Sequence, residues 1–236
     1  MENREDFLMG AYFWENFSEN LRKKGYQIIG GKPSWILNEI LEELGPVIQI
    51  TEVIVKPESK ALVTSDRALD FHTDHHRARY IVWHCHKAST EGGDTLLVDA
   101  WRVWEKMSRS IREELRNIRL FEHKVFQDDE ESYPLVSEDR HGCLRFYYSF
   151  WLVNKEDLRE DSVRSWMNAI KEEKPIQMKL KEGDILVIDN HRILHARTAI
   201  TGSKDRHLTR YWIAEKTSIP FLDVLCKRIN FKLTQI

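Results

Sequence analysis

The chain is poor in cysteine, with 3 in 236 residues at Cys85, Cys143 and Cys226. An odd, scattered set supports no disulfide framework and points to a reduced compartment. There is no excess of either charge. With 36 basic and 38 acidic residues the formal net charge is −2, which gives no electrostatic pull toward nucleic acid or an anionic membrane. No apolar run approaches the roughly 18 residues of a membrane span. The opening MENREDFLMG lacks the basic lead and apolar core of a secretory signal. A cytoplasmic location follows by elimination. Internal repeats, low-complexity tracts and linkers are also missing, so one domain over 1–236 is expected. No Gly-rich phosphate loop is present, which argues against a doubly wound nucleotide-binding sheet.

What is present suits a globular core, with 42% hydrophobic and 31% charged residues. Phe7, Ala11, Trp14 and Phe17 recur three or four apart and predict a helix over 4–24, closed by the basic residues and glycine of "KKG". A short strand over 26–31 precedes a second helix that starts after Pro33 and ends near Gly45 and Pro46. The β-branched run 47–55 reads as a strand. Further strands are expected in "ARYIVWHCHKA", "GGDTLLVDA", 143–153, 182–190 and 206–215, with helices over 100–118 and 161–173. Many strands with a few lateral helices predict a mainly β protein, a sandwich or jelly roll with flanking helices.

The stretch "DFHTDHHRARYIVWHCH", from Asp70 to His86, holds five of the ten histidines. On a strand, residues two apart share a face. His72 and Asp74 can therefore converge on one ion. His195, in "DNHRILHAR" just beyond the apolar "ILVI", can supply a third ligand. Two imidazoles and one carboxylate on one face of an octahedral ion are the ligand set of non-haem Fe(II) oxygenases. Arg206 and Arg210 sit four apart, and paired guanidiniums are suited to holding a carboxylate. Thr95 adds a hydroxyl after the Gly92–Gly93 turn.

In order along the chain, His72-Thr73-Asp74, Gly92-Gly93-Asp94-Thr95, Asp189-Asn190-x-Arg192-x-x-His195, and Arg206 with Arg210 resemble the taurine dioxygenase and clavaminate synthase family. The resemblance covers about residues 50 to 215. It implies a double-stranded β-helix (jelly roll) and an Fe(II)- and 2-oxoglutarate-dependent dioxygenase using O2. Carried over, it makes His72, Asp74 and His195 the iron ligands. Arg206 then pairs with the distal carboxylate of 2-oxoglutarate, Thr95 hydrogen-bonds the same end, and Arg210 holds the keto-acid end or an anionic group of the substrate. The family's halogenases lack the carboxylate ligand, so Asp74 favours hydroxylation, with desaturation, cyclisation and epimerisation open to the same oxidant. The chain is short for this family, and the polar stretch 126–145 is the expected mobile cover.

Other residues carry competing readings. His84 and His86 flank Cys85 and superficially suggest zinc. Strand alternation turns Cys85 away from both, and no second Cys/His cluster completes a tetrahedral site. His75 and His76 could orient Asp74 or lie in a solvated loop. His191 has the same strand parity as His195, and only the family motif chooses between them. The arginines could be ion-paired surface residues. Trp151, Tyr147 and Tyr148 could line a pocket or fill the core. Arg210, Arg77, Arg79 and the nearby histidines point to a small polar substrate such as an amino acid or derivative, made or modified in biosynthesis. A zinc hydrolase and a non-catalytic small-molecule binder on a jelly roll are the alternatives from other classes.

Overall fold

The computed structural model describes residues 4–216 except 32–33, 57, 60 and 123. The expected roles of Phe7, Ala11, Pro33, Trp35 and Cys226 fall on positions or side chains outside the described set. Helices are α1 (Arg4–Lys24), α2 (Ser34–Leu44), α3 (Ala100–Lys106), α4 (Arg109–Leu115) and α5 (Asp161–Glu172). Strands are β1 (Tyr26–Ile29), β2 (Val47–Ile54), β3 (Leu69–His72), β4 (Tyr80–Lys87), β5 (Thr95–Asp99), β6 (Arg119–Phe121) and β7 (Ser132–Pro134). They continue with β8 (Val136–Glu138), β9 (Leu144–Phe146), β10 (Ile176–Met178), β11 (Ile185–Asp189), β12 (Ile193–Arg197) and β13 (His207–Ile213).

Two antiparallel sheets form the body, ordered β1-β11-β4-β13-β2 and β10-β5-β12-β3. Strand alternation decides what each face meets. Ile81, Trp83 and Cys85 of β4, with Leu186 and Ile188 of β11, join Leu97, Ile193, Leu208 and Trp212 in a core between the sheets. The opposite parity, Tyr80, Val82, Ile185 and Val187, packs under Phe17 and Leu21 of α1 and Ile36, Leu37, Ile40 and Leu44 of α2. This explains why β11 reads as an unbroken apolar run: both of its faces are covered, and all five of its residues are buried. A third cluster seats α3, α4 and α5 on the smaller sheet, with Trp166 of α5 fully buried against Phe146, Val163 and Leu194.

Two expectations are corrected. The helix foreseen over 100–118 is two helices. Met107 is extended (φ −73°, ψ 141°), and the Ser108 side chain accepts a hydrogen bond from the Ile111 amide, starting a new helix. The strand foreseen over 143–153 stops at Phe146. Beyond it, Tyr148 exchanges hydrogen bonds with Thr73, Ser149 bridges His72, and a short 3₁₀ turn begins at Phe150. The stretch 126–145, expected to be a mobile cover, carries β7, which pairs with β6, and most of the β8–β9 hairpin. No helix among the described residues is long and apolar enough to cross a membrane.

Candidate active site

β12 lies antiparallel to β3 with His195 directly opposite His72, so a single cross-strand pair brings the two histidines together across 123 positions of sequence. Their ring centroids are 4.1 Å apart. One donor atom each from His72, Asp74 and His195 lie within 4.8 Å of one another, and all three residues are buried. Asp74 does not reach this point by strand alternation, since β3 ends at His72. The turn that carries it is held by Asn190, whose side-chain oxygen accepts from the Asp74 amide at 2.8 Å. The Asn190 side-chain amide donates to the carbonyls of His75 (3.2 Å) and Ala78 (2.9 Å). A fully buried amide side chain thereby satisfies the backbone of the whole turn.

The protonation of each group suits a metal. The His72 Nδ1–H donates to the Asp70 carbonyl at 2.8 Å, which makes Nε2, 3.9 Å from Asp74 Oδ1, the nitrogen that carries the lone pair. Burial, reinforced by the charge of Arg210, holds His195 well below its ordinary value and so neutral. Its Nδ1 is buried with no hydrogen-bond partner. Burial alone would raise the Asp74 carboxyl. The positive charge of Arg210 and the Trp212 hydrogen bond outweigh it and keep Asp74 ionised. Arg210 Nη1 donates to both Asp74 oxygens at 2.9 Å, and Trp212 Nε1–H donates to Oδ2 at 2.8 Å. Two neutral imidazoles and a fixed carboxylate on one buried face, with an unpartnered ring nitrogen, fit a divalent iron.

Beside this triad is a cavity lined by Val53, Leu69, Trp83, Thr95, Arg206 and Leu208 among others, with His72, His195 and Arg210 in its wall. Arg206 is 7% exposed and makes no hydrogen bond or ion pair with the other described residues. Burial and the nearby charge of Arg197 lower it to about 10, so it stays cationic at neutral pH. An unpaired buried guanidinium is costly unless an anion joins it. Gly93 makes room for it: with φ at +70°, a Cβ there would stand 3.2 Å from Arg206 Cδ. Arg197, by contrast, is consumed by the carbonyls of Leu62, Val63, Ser65 and Arg67.

The remaining polar residues divide clearly. His191 Nε2–H donates to the His76 carbonyl at 2.7 Å, and its Nδ1 accepts from Arg79 at 3.2 Å, so it braces the Asp74 turn. Arg79 pairs with Asp189, and Arg77 with Asp128. Neither lines the cavity, so neither supplies the anion-binding charge foreseen for them. Arg192 forks onto Asp99 and caps α1 through the carbonyls of Arg22 and Lys23. His84 and His86 lie toward the outer side of the large sheet, and His86 contacts the Thr209 hydroxyl at 2.7 Å. Tyr147 and Tyr148 are core residues, whereas Trp151 is 37% exposed with its ring 5.0 Å from His72. Sequence reasoning assigned no part to Asn190 or Trp212. Asn190 stood in the quoted motif, but a lone Asn gives no hint that it will span a turn 116 positions away.

The model of the taurine catabolism dioxygenase TauD, TfdA family matches residues 38–212. The chain belongs to this family. The family's members are Fe(II)- and 2-oxoglutarate-dependent oxygenases that use O2. Clavaminate synthase 2 of Streptomyces clavuligerus is 29% identical over 171 residues, which is 64% of this chain and 51% of that protein. Human mitochondrial trimethyllysine dioxygenase is 28% identical over 159 residues, 57% of this chain and 38% of its own. The chain thus spans about half the length, or less, of these curated relatives. Among solved structures, asparagine oxygenase with Fe(II), hydroxyasparagine and succinate superimposes with a TM-score of 0.71 at 16% identity, covering 86% of this chain and 79% of that one. The non-haem iron oxygenase OrfP with Fe and α-ketoglutaric acid gives 0.66 at 15% identity, over 86% and 80%. PvcB of Pseudomonas aeruginosa gives 0.61 at 16%, over 86% and 79%. The shared fold is the jelly roll expected from the strand pattern.

Proposed function

We propose that this chain is an Fe(II)- and 2-oxoglutarate-dependent dioxygenase, working as one oxygenase domain over 1–236, that hydroxylates an unactivated C–H bond of a small polar molecule. The observation that carries this reading is the juxtaposition of a buried two-histidine, one-carboxylate cluster with an unpaired buried arginine in one cavity. Fe(II) bound with 2-oxoglutarate and O2 supplies an oxidant strong enough for such bonds and releases succinate and CO2. The protein's own contribution is positional. His72 offers Nε2 because Asp70 holds its other nitrogen. Asp74 is held ionised and oriented by Arg210 and Trp212. Arg206 and Thr95, both in the cavity lining, take the distal carboxylate of the cosubstrate. Arg210, already on Asp74, lies where it can also meet the keto-acid end. Trp83, Leu208 and Val53 exclude water from the reacting centre.

An amino acid or derivative is the proposed substrate class. The structural relatives crystallised with hydroxyasparagine and hydroxyarginine support it by analogy of fold. The Trp151 ring, 5.0 Å from that of His72, adds an aromatic surface beside the site. Desaturation, cyclisation or epimerisation would follow from a different substrate placement on the same residues. A reduced compartment such as the cytoplasm fits the two buried free thiols, Cys85 and Cys143. The test is stoichiometric. Purified protein with Fe(II), 2-oxoglutarate and an amino-acid library should consume O2 and form succinate in step with a hydroxylated product. Turnover of an ester or amide with Zn²⁺, needing neither O2 nor keto acid, would point instead to a hydrolase.

A further inference from the structure

A second cluster of ligating side chains lies behind the first, and the oxygenase chemistry does not use it. His75 and His76 follow Asp74 directly. Glu122 and Asp129 come from the segment after β6. One donor atom from each of the four lies within 4.8 Å of the others. His75, Glu122 and Asp129 have side chains at most 1% exposed. Three of their polar atoms, His75 Nε2, Glu122 Oε2 and Asp129 Oδ1, are buried without a hydrogen-bond partner. Orphaned buried polar atoms are rare, and the two carboxylate oxygens among them call for a missing positive charge or donor.

The protein has already fixed the ligands' orientation. Asp129 Oδ2 accepts the amides of Val125 (2.8 Å) and Phe126 (2.7 Å), which aims Oδ1 inward. The His76 ring stacks flat on Tyr133, centroids 3.7 Å apart and 8° from parallel, with Nε2 against Glu122 Oε1. Arg77 Nε is 3.5 Å from Asp129 Oδ1, but that guanidinium gives its hydrogen bonds to Asp128. Two buried carboxylates therefore face each other, with only the Arg77 guanidinium, shared with Asp128, as counter-charge. A divalent ion with bonds of about 2.0–2.2 Å would complete it.

We propose that His76, Glu122 and Asp129 form a second metal site, for a divalent ion of the zinc class, that fastens Glu122 and the 124–131 stretch to the turn carrying Asp74. His75 has a different part. The Arg77 amide donates to its Nδ1 at 3.2 Å, so its proton sits on Nε2, 3.2 Å from Asp129 Oδ1 and 3.6 Å from Glu122 Oε1. It makes no hydrogen bond to the carboxylates here, and it is placed to donate to them once an ion draws them into position. The site adjoins the triad through Trp212, whose ring centroid is 5.8 Å from that of His75 and whose N–H holds Asp74.

The test counts metal and does not depend on turnover. Metal-free protein, saturated with zinc and washed free of excess, should retain two equivalents by mass spectrometry. His195→Ala should retain one, and so should the near-isosteric pair Glu122→Gln with Asp129→Asn. His76→Ala should lose the second ion, whereas His75→Ala should keep it with affinity lowered about 10- to 100-fold. Should the paired variant fail to fold, the zinc-edge anomalous map of zinc-soaked wild-type crystals decides. A peak between His76, Glu122 and Asp129, separate from the triad, supports the site. A single equivalent that vanishes in His195→Ala, or a map with no peak at the cluster, overturns it.

Discussion

Arg206 and Asn190 make the sharpest individual claims. If Arg206 anchors the distal carboxylate, Arg206→Ala removes a charge-assisted bond worth about 1.5–3 kcal/mol, a roughly 10- to 100-fold rise in the KM for 2-oxoglutarate. Steady-state kinetics at saturating substrate should show it, with Arg206→Lys recovering only part because it cannot fork. An unchanged KM would remove Arg206 from that role. Asn190→Ala leaves the Asp74 amide and the Ala78 carbonyl without partners, at about 1–3 kcal/mol each. Its urea midpoint should fall, and iron affinity with it, whereas a stable variant with undisturbed metal binding would show that the turn holds itself. His72, Asp74 and His195 were legible because metal ligands need particular atoms, and few residue types carry them. Trp212 was not, since an indole in an apolar strand reads as core until its N–H is seen on Asp74. Arg77 and Arg79 misled for the opposite reason: a sequence shows their charge but not the Asp128 and Asp189 that neutralise it.

Elements were legible wherever periodicity was strong and both ends carried signals. α5 kept its foreseen bounds almost unchanged, and β11 was read as buried from its apolar run. The split between α3 and α4 was missed because the apolar stripe from Trp101 to Ile118 continues through it. The Ser108 cap interrupts the backbone without interrupting the stripe. Ser108→Ala should therefore cost about 0.5–2 kcal/mol, read as a lower melting temperature with the fold retained. No loss would mean that α4 is held by packing alone. Trp166 is the largest fully buried side chain and joins α5 to Phe146 and Tyr148. Trp166→Ala should cost about 3–5 kcal/mol by chemical denaturation. The end of β9 at Phe146 was beyond sequence, because the competing partner is Thr73, far away in the chain.

The molecule as a whole should be acid-sensitive before its carboxylates titrate. Burial first, then the charge of Arg77, pushes His76 down to about 4, and burial holds His191 well below its ordinary value. Such groups bind protons more readily unfolded than folded. Their contribution to stability is full above the unfolded value near 6.5 and is lost as pH falls from there toward the depressed folded value. In metal-free protein the urea-derived stability should decline below pH 6.5 by up to about 1.4 kcal/mol per pH unit for each such histidine. A flat profile between pH 7 and 5 would contradict their burial as neutral rings. The jelly roll was foreseeable in class because strands outnumbered helices, but the pairing of β12 with β3 that builds the site is set by tertiary contact. That pairing creates the site proposed for iron and keto acid, so the most direct test is an anaerobic titration of the Fe(II) protein with 2-oxoglutarate. A visible charge-transfer band should appear, saturate at one equivalent, and be absent in His195→Ala. An Fe(II) protein that binds no keto acid and shows no band would contradict the oxygenase assignment.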